Sequence, residues 1–367
     1  MRHKHSSRDN RQRGRGKNER STQDRAGQTQ STENRPAQSR SGRNRPNQNP
    51  ASQNRPGQNR PGQNRARGRP SPGGAPRPSA ALRELQSRVA VTPMRKIPLA
   101  GLDAPLTLRF LDIFCPIGFG QRALILAPPK TGKTTVLKDL CLGFSATAPD
   151  TVLYTLLVDE RPEEITDFRR SVKSEVFASS HDRPFEEHLA VAAKCLEKAV
   201  TEVLANRDVI IVLDSLTRLS RAHNVHSTTG RTMSGGLDAT ALELPKRLFG
   251  AARELEEGGS LTIIATCLVE TGSRMDEVIA QEFKGTGNME LLLDRRLAEQ
   301  RLFPAMNITA SGTRKEAELL DSTSLRASHR LRRLIADLSV VEATRSLIPW
   351  FEQSPSNDAL IARLVED

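Results

Sequence analysis

Through residue 80 the chain has no Val, Ile, Leu, Phe, Tyr or Trp, and its first leucine is Leu82. Such a segment cannot bury enough apolar surface to offset the entropy of ordering its backbone, so disorder is expected over 1–80. The charge is concentrated in the same place. Residues 1–80 hold 19 Lys+Arg and 4 Asp+Glu, a net +15, whereas the remaining 287 residues hold 36 and 39, a net −3. The formal +12 of the 367-residue chain is that of a cationic tail on a near-neutral body.

The tail repeats Asn-Arg-Pro-x-Gln at residues 34–38, 44–48, 54–58 and 59–63. Its Pro and Gly oppose regular structure, and an arginine in each unit keeps it solvated. Dense positive charge suits a polyanion, because arginines on phosphates release counterions. A solubilising spacer is the alternative. No aromatic residue interleaves the arginines, so base stacking is not expected, and RNA and DNA phosphates read alike to such an arm.

Folding is expected from about Ala80. No run of about 18 apolar residues exists, so no membrane span is expected. The N-terminus lacks the apolar stretch of a secretory signal. Cys115, Cys141, Cys195 and Cys267 stand far apart, as buried thiols in a reducing cytoplasm rather than a disulfide or zinc framework. Residues 80–88 read as a short helix, and Pro93, Pro98 and Pro105 as an extended lead-in. Continuous apolar runs at 123–127, 152–158, 209–213 and 261–265 read as strands buried on both faces, with 289–293 a possible fifth. Helical patterns separate them, notably from Lys133 and over 186–206. Strands alternating with helices predict an α/β fold with a mostly parallel sheet. After Gly312 the pattern turns helical. Ser339 with Glu342 fits a capping box, and Asn357 or Asp358 could cap a last helix. The division expected is a tail (1–80), a linker and lead-in (81–106), and an α/β domain with a helical C-terminal part (107–367).

Between the first strand and its helix lies Ala127-Pro128-Pro129-Lys130-Thr131-Gly132-Lys133-Thr134. That is the context of a phosphate-binding loop, whose backbone N–H groups wrap a β-phosphate at a helix N-terminus. Lys133 would reach the β- and γ-phosphates of ATP and Thr134 would ligate Mg²⁺. Ala127 stands where such loops usually have their first glycine. The strand 209–213 ends in Asp214, a second Mg²⁺ ligand in the Walker B pattern. The strand 152–158 runs into Asp159-Glu160-Arg161-Pro162-Glu163-Glu164. Glu160, nearest the strand end, is the candidate base for the attacking water. Pro162, Glu163 and Glu164 are explained as the first turn of a helix. Arg301 and Arg314 lie downstream of these strands. Either could serve a neighbouring subunit's nucleotide, or be a surface salt-bridge arginine.

Five segments together resemble the Rho family of transcription terminators: APPKTGKT (127–134), LVDERPEE (157–164), LDSLTRLSR (213–221), FKGTGNME (283–290) and GTRK (312–315). The likeness runs over about residues 89–350, and other RecA-type ATPases share only the Walker elements. It implies a RecA-like P-loop NTPase core and a hexameric, RNA-dependent ATPase and helicase. It implies that Pro129, Lys130, Thr131, Gly132, Lys133, Thr134 and Thr135 surround ATP. Arg161 links nucleotide state to the channel, and Phe303 stacks on adenine. Arg314 acts as an arginine finger in the next subunit's site, with Arg301 a second arginine acting in trans. Lys284, Gly285 and Thr286 grip RNA in the central channel, and Gly235 and Gly236 fall in the other channel loop.

The departures from that family carry information. It normally has an OB-type RNA-binding domain before the ATPase, with aromatic residues that capture pyrimidine-rich RNA. Here the first aromatic is Phe110, and the tail takes that domain's place. Thr135 replaces an apolar neighbour of the adenine, and the loop 224–235 is one residue shorter. The reading is a cytoplasmic Mg·ATP-hydrolysing ring that moves on RNA, with the transcription complex as a possible partner. A non-motor subunit that joins or titrates rings, and a recombinase-like filament on DNA, stay open.

Overall fold

The structure, a computed structural model, describes residues 77–227 and 231–366. The Asn-Arg-Pro repeats, and the disorder expected for residues 1–76, lie outside the described residues; the expectation ran too far at its end, because Ser79 caps the first helix and Ala80 opens it.

The first element is helix α1 (Ala80–Ser87), capped by Ser79, whose hydroxyl accepts from the Leu82 N–H at 3.2 Å. Leu82 and Leu85 on its inner face are buried in the core formed with helix 185–204, so the lead-in begins inside the folded body. Strand β1 (Ala90–Val91) follows, then helix α2 (Leu106–Phe114). The alternation expected from the sequence comes next: β2 (Arg122–Ala127), α3 (Lys133–Thr147), β3 (Val152–Glu160), α4 (Pro162–Ser171), β4 (Glu175–Ser180), α5 (Phe185–Leu204), β5 (Asp208–Asp214) and α6 (Leu216–His226). After α7 (Glu243–Phe249) come β6 (Arg253–Leu255), β7 (Ser260–Leu268), α8 (Arg274–Phe283), β8 (Met289–Leu292), α9 (Arg295–Glu299) and β9 (Gly312–Thr313). Helices α10 (Ser322–Leu334), α11 (Val340–Glu352) and α12 (Asn357–Glu366) close the chain.

The strands form one sheet in the order β4-β3-β5-β7-β2-β8-β9, and β6 joins β1 antiparallel to one end of β7. The pairs from β4 to β8 are all parallel. Helices cover both faces, and the two main apolar clusters lie one on each side. That is why the central strands read as unbroken apolar runs. Register brings the functional strand ends together: Leu157 pairs with Asp214, Leu213 with Ala265, and Ala127 with Leu268. The carboxyl ends of β2, β3 and β5 therefore share one edge, where parallel α/β sheets hold ligands.

Two local features differ from expectation. Strand β4 at the sheet edge has a half-polar sequence whose burial merely alternates, so it has no continuous apolar signal. The last helix is capped by Ser356, whose hydroxyl accepts from the Ala359 N–H at 3.1 Å, rather than by Asn357 or Asp358. Asn357 is buried and otherwise engaged. Its side chain accepts from Arg109 Nε at 3.1 Å and donates to the Arg109 carbonyl at 3.1 Å, tying α12 to α2. The capping box of α11 is present: the Ser339 hydroxyl accepts from the Glu342 N–H, and the Glu342 carboxylate from the Ser339 N–H.

Candidate functional site

The chain leaves β2 at Ala127 in ordinary strand geometry, so this position needs no glycine. The special angles come later, at Lys130 (φ 67°) and Gly132 (φ 84°). A Cβ on Gly132 would have room, its nearest neighbour being the Phe303 ring at 3.7 Å. Its positive φ is what favours glycine there. Thr131 is buried and donates to the Pro128 carbonyl at 2.7 Å, which pins the turn. Helix α3 then starts without a side-chain cap, so its first N–H groups are open to an anion. Pro129, Lys130 and Thr135 are exposed around this turn, and Thr134 is half-buried.

The acids converge on Lys133. Its ammonium is paired with both oxygens of Asp214 and lies 3.6 Å from Glu160 Oε1. Asp214 is 1% exposed and also accepts from the Thr266 hydroxyl at 2.9 Å. Glu160 is 2% exposed. A β-bulge precedes it, with Asp159 at φ 57°, and turns the glutamate into the site. Arg218 approaches Glu160 at 3.3 Å through Nε and donates to the Asp159 carbonyl. Thr134 and Asp214 offer a hydroxyl and a carboxylate, the hard oxygen donors that Mg²⁺ takes alongside phosphate oxygens and water.

Burial, and then the neighbouring Asp214 charge, push the Glu160 carboxyl up to about 7. Folding therefore raises its proton affinity. The stability it contributes is whole below the unfolded value near 4.5 and is lost as pH rises towards 7. Glu160→Gln, neutral throughout, should stabilise the nucleotide-free protein at pH 8, on the order of 1–3 kcal/mol, and have little effect near pH 4.5. Thermal unfolding at the two pH values measures this. Equal midpoints at pH 8 would mean that Lys133 and Arg218 fully compensate the buried charge.

Arg218 and Thr266 escaped the sequence reading. Arg218 lies inside the quoted segment 213–221, one turn after Asp214, but nothing local says that an arginine there turns back towards Glu160. Thr266 is found only through the pairing of β5 with β7. The same holds for the groups around Asp159: His181 Nδ1 lies 2.6 Å from its Oδ1, and the buried His188 lies 3.9 Å away.

The other predicted residues fall into three places. Arg301 lines an open cleft of about 430 Å³ with Pro129 and Lys130 of its own chain, and Phe303 faces Gly132, so both stand beside the chain's own phosphate loop. Arg161, exposed, caps α4 at the same edge and lies 3.7 Å from Glu164. Arg314 lies at the opposite end of the sheet. It follows β9, which runs antiparallel to β8, and its N–H donates to the Asn288 carbonyl at 2.8 Å. The six residues of β2 between the two ends span about 20 Å, so Arg314 cannot reach its own phosphate loop.

Lys284, Gly285 and Thr286 are exposed next to Arg314. Gly235 packs directly on α8: a Cβ there would meet Val278 Cγ2 at 3.0 Å and the Arg274 carbonyl at 3.2 Å. Lys284 is the C-cap of that same helix, so α8 carries both predicted channel loops. Its first turn is held by Arg221 of α6, which donates through Nε to Asp276 at 2.8 Å.

A parallel sheet, a phosphate loop after β2 and paired acids on the adjacent strand ends define a RecA-like P-loop nucleotide-binding domain. The nucleotide-binding domain of the ATP synthase alpha/beta family matches residues 107–313, and the chain belongs to that family. Within it, the sequence is similar to transcription termination factor Rho. It is 53% identical over 250 residues to the protein from Cereibacter sphaeroides, 68% of this chain and 59% of that one. It is 48% identical over 293 residues to the protein from Streptomyces lividans, 80% of this chain and 41% of that one. The chain thus spans about two fifths to three fifths of these relatives' length. In structure it is similar to an ATPase of a bacterial type III secretion system, with a TM-score of 0.63 at 24% identity over 76% of this chain and 86% of that one. The assembled type III secretion ATPase EscN, solved with its central stalk EscO, gives 0.59 at 26% identity over 69% and 60%. Among the described residues no helix is long and apolar enough to cross a membrane.

Proposed function

We propose that the chain is a Rho-like, RNA-dependent ATPase that works as a cytoplasmic ring, with ATP hydrolysed at subunit interfaces to move RNA in transcription termination. The observation that carries this is a site divided between two ends of one sheet. Lys133, Asp214 and Glu160 gather at one end, and Arg314 stands at the other beside Lys284. In a ring, one subunit's Arg314 meets the next subunit's phosphate loop.

The phosphate loop and Lys133 bind the triphosphate, and Phe303 lies where it can stack on the base. Thr134 and Asp214 would hold Mg²⁺, which neutralises charge on the phosphates. Glu160 accepts the proton of the attacking water, and Arg218 holds its carboxylate in place. Arg314 of the neighbour stabilises charge on the transferred phosphoryl, and Arg161 and Arg301 line the approach. Gly235, Gly236 and the 284–286 turn would face RNA, with RNA polymerase or the transcription complex as a candidate partner. The tail (1–80), lead-in (81–106) and motor domain (107–367) divide this work.

ATP hydrolysis with and without RNA, beside the oligomeric state in solution, tests the reading. Stimulation by RNA in a ring supports it. A ring-joining subunit that hydrolyses nothing would favour the non-motor alternative. Deleting residues 1–76 should leave the ATPase folded and lower RNA affinity strongly at low salt but much less at high salt, because counterion release is the lost term. The RNA-stimulated maximum should persist. Titrations at two salt concentrations measure this, and a pyrimidine preference that disappeared with the tail would contradict it.

A further inference from the structure

The turn 285–288 is held between two arginines, and only Arg314 has a role so far. Arg122, at the start of β2, donates through Nε to the Thr286 carbonyl at 3.1 Å and through Nη1 to the Ala252 carbonyl at 3.1 Å. Arg314 donates through Nη2 to the preceding carbonyl, Gly285 O, at 3.4 Å. Asn288 closes the frame. Its side chain accepts from the Arg122 N–H at 2.9 Å, its own N–H donates to the Arg122 carbonyl at 3.0 Å, and its carbonyl accepts from the Arg314 N–H. Gly287 leaves no slack, since a Cβ there would meet the Arg122 carbonyl at 2.9 Å. Arg122, Arg314 and Lys315 line one cleft of about 450 Å³ that has no carboxylate in its wall.

Among the described residues neither guanidinium is neutralised by an acid in an ion pair. Both donate to carbonyls of the same turn, Arg122 with a further bond to the Ala252 carbonyl, in a cleft that Arg253 and Lys315 also line. A planar donor fork fixing two backbone carbonyls sets geometry, and this geometry is that of the residue offered to the neighbouring subunit.

We infer that Arg122 is a positioning residue for Arg314. It fixes the 285–288 turn, and the turn fixes both the backbone of Arg314, through Asn288 O, and its side chain, through Gly285 O. Lys284 begins the same turn, so contact there is felt at Arg314. The inference rests on the reading of Arg314 as the cation that completes the next subunit's site. A catalytic group displaced by on the order of 1 Å loses about 10²-fold in rate.

The test uses full-length rings with saturating RNA. Arg122→Ala is expected to lower kcat by about 10²-fold with KM for ATP unchanged. Its effect should act across the interface, as that of Arg314→Ala should. Mixed with Glu160→Gln subunits, Arg122→Ala should regain activity; mixed with Arg314→Ala, it should not. The double variant Arg122→Ala/Arg314→Ala should be no slower than Arg314→Ala alone. Should Arg122→Ala fail to form rings, Arg122→Lys keeps the charge and stem but loses the planar fork, and the same mixtures decide. Normal turnover in the variant, no recovery with Glu160→Gln where Arg314→Ala recovers, or losses that multiply in the double variant would each overturn the inference. If Arg314→Ala itself kept full turnover, the underlying reading would fail first.

Discussion

Arg314→Ala is expected to lower turnover by about 10³–10⁵-fold while nucleotide binding and ring formation persist, because only the charge offered to the neighbour's transition state is removed. The expectation comes from topology. Arg314 follows an antiparallel strand at the amino end of β8, a sheet's length from the phosphate loop of its own chain. A mixture of Arg314→Ala and Glu160→Gln subunits should then recover part of the activity. Each interface needs one intact acid and one intact arginine, and some interfaces in a mixed ring combine them. Steady-state hydrolysis in rings of verified composition measures this. No recovery at any mixing ratio would mean that the arginine does not act across the interface.

Glu160→Gln should lower hydrolysis by about 10²–10⁴-fold with ATP still bound, since the amide keeps the shape of the side chain but cannot take a proton. Lys133→Ala should lose hydrolysis too, with weakened ATP binding, and it leaves Asp214 without its buried counter-charge. The two losses therefore differ in kind, and ATP-binding measurements separate them. Near-normal hydrolysis by Glu160→Gln would move the base to another acid. Glu163 and Glu164 are poor replacements, because both lie in the first turn of α4, Glu163 exposed and Glu164 half-buried beside Arg161 rather than beside Lys133.

How much of this was legible depended on whether the signal was local. The strands β2, β3, β5 and β7 announce themselves because burial on both faces demands unbroken apolar runs. Asp214 and Glu160 follow, because each sits at the end of such a run, and Lys133 because it opens the helix after the loop that leaves one. The edge strand β4 is half-polar and escaped. Arg218 and Thr266 escaped for a different reason: each meets its partner across the sheet edge, and no spacing along the chain encodes that meeting. Asn357 illustrates competition. It has the chemistry of a helix cap, but the buried guanidinium of Arg109 claims its side chain and Ser356 caps instead. Ala127 shows that a motif's habitual glycine need not be a conformational demand, since the positive angles of this loop lie at Lys130 and Gly132.

Helix α8 has 10 residues, about 15 Å, and its two ends serve different masters. Asp276 in its first turn is bolted to Arg221, and its C-cap is Lys284, while Gly235 rests on its flank. On the function proposed above, both segments expected to touch the nucleic acid share this one helix as their support, so a displacement of α8 against α6 would shift Gly235 and Lys284 together, by a distance set by the helix rather than by the base sequence.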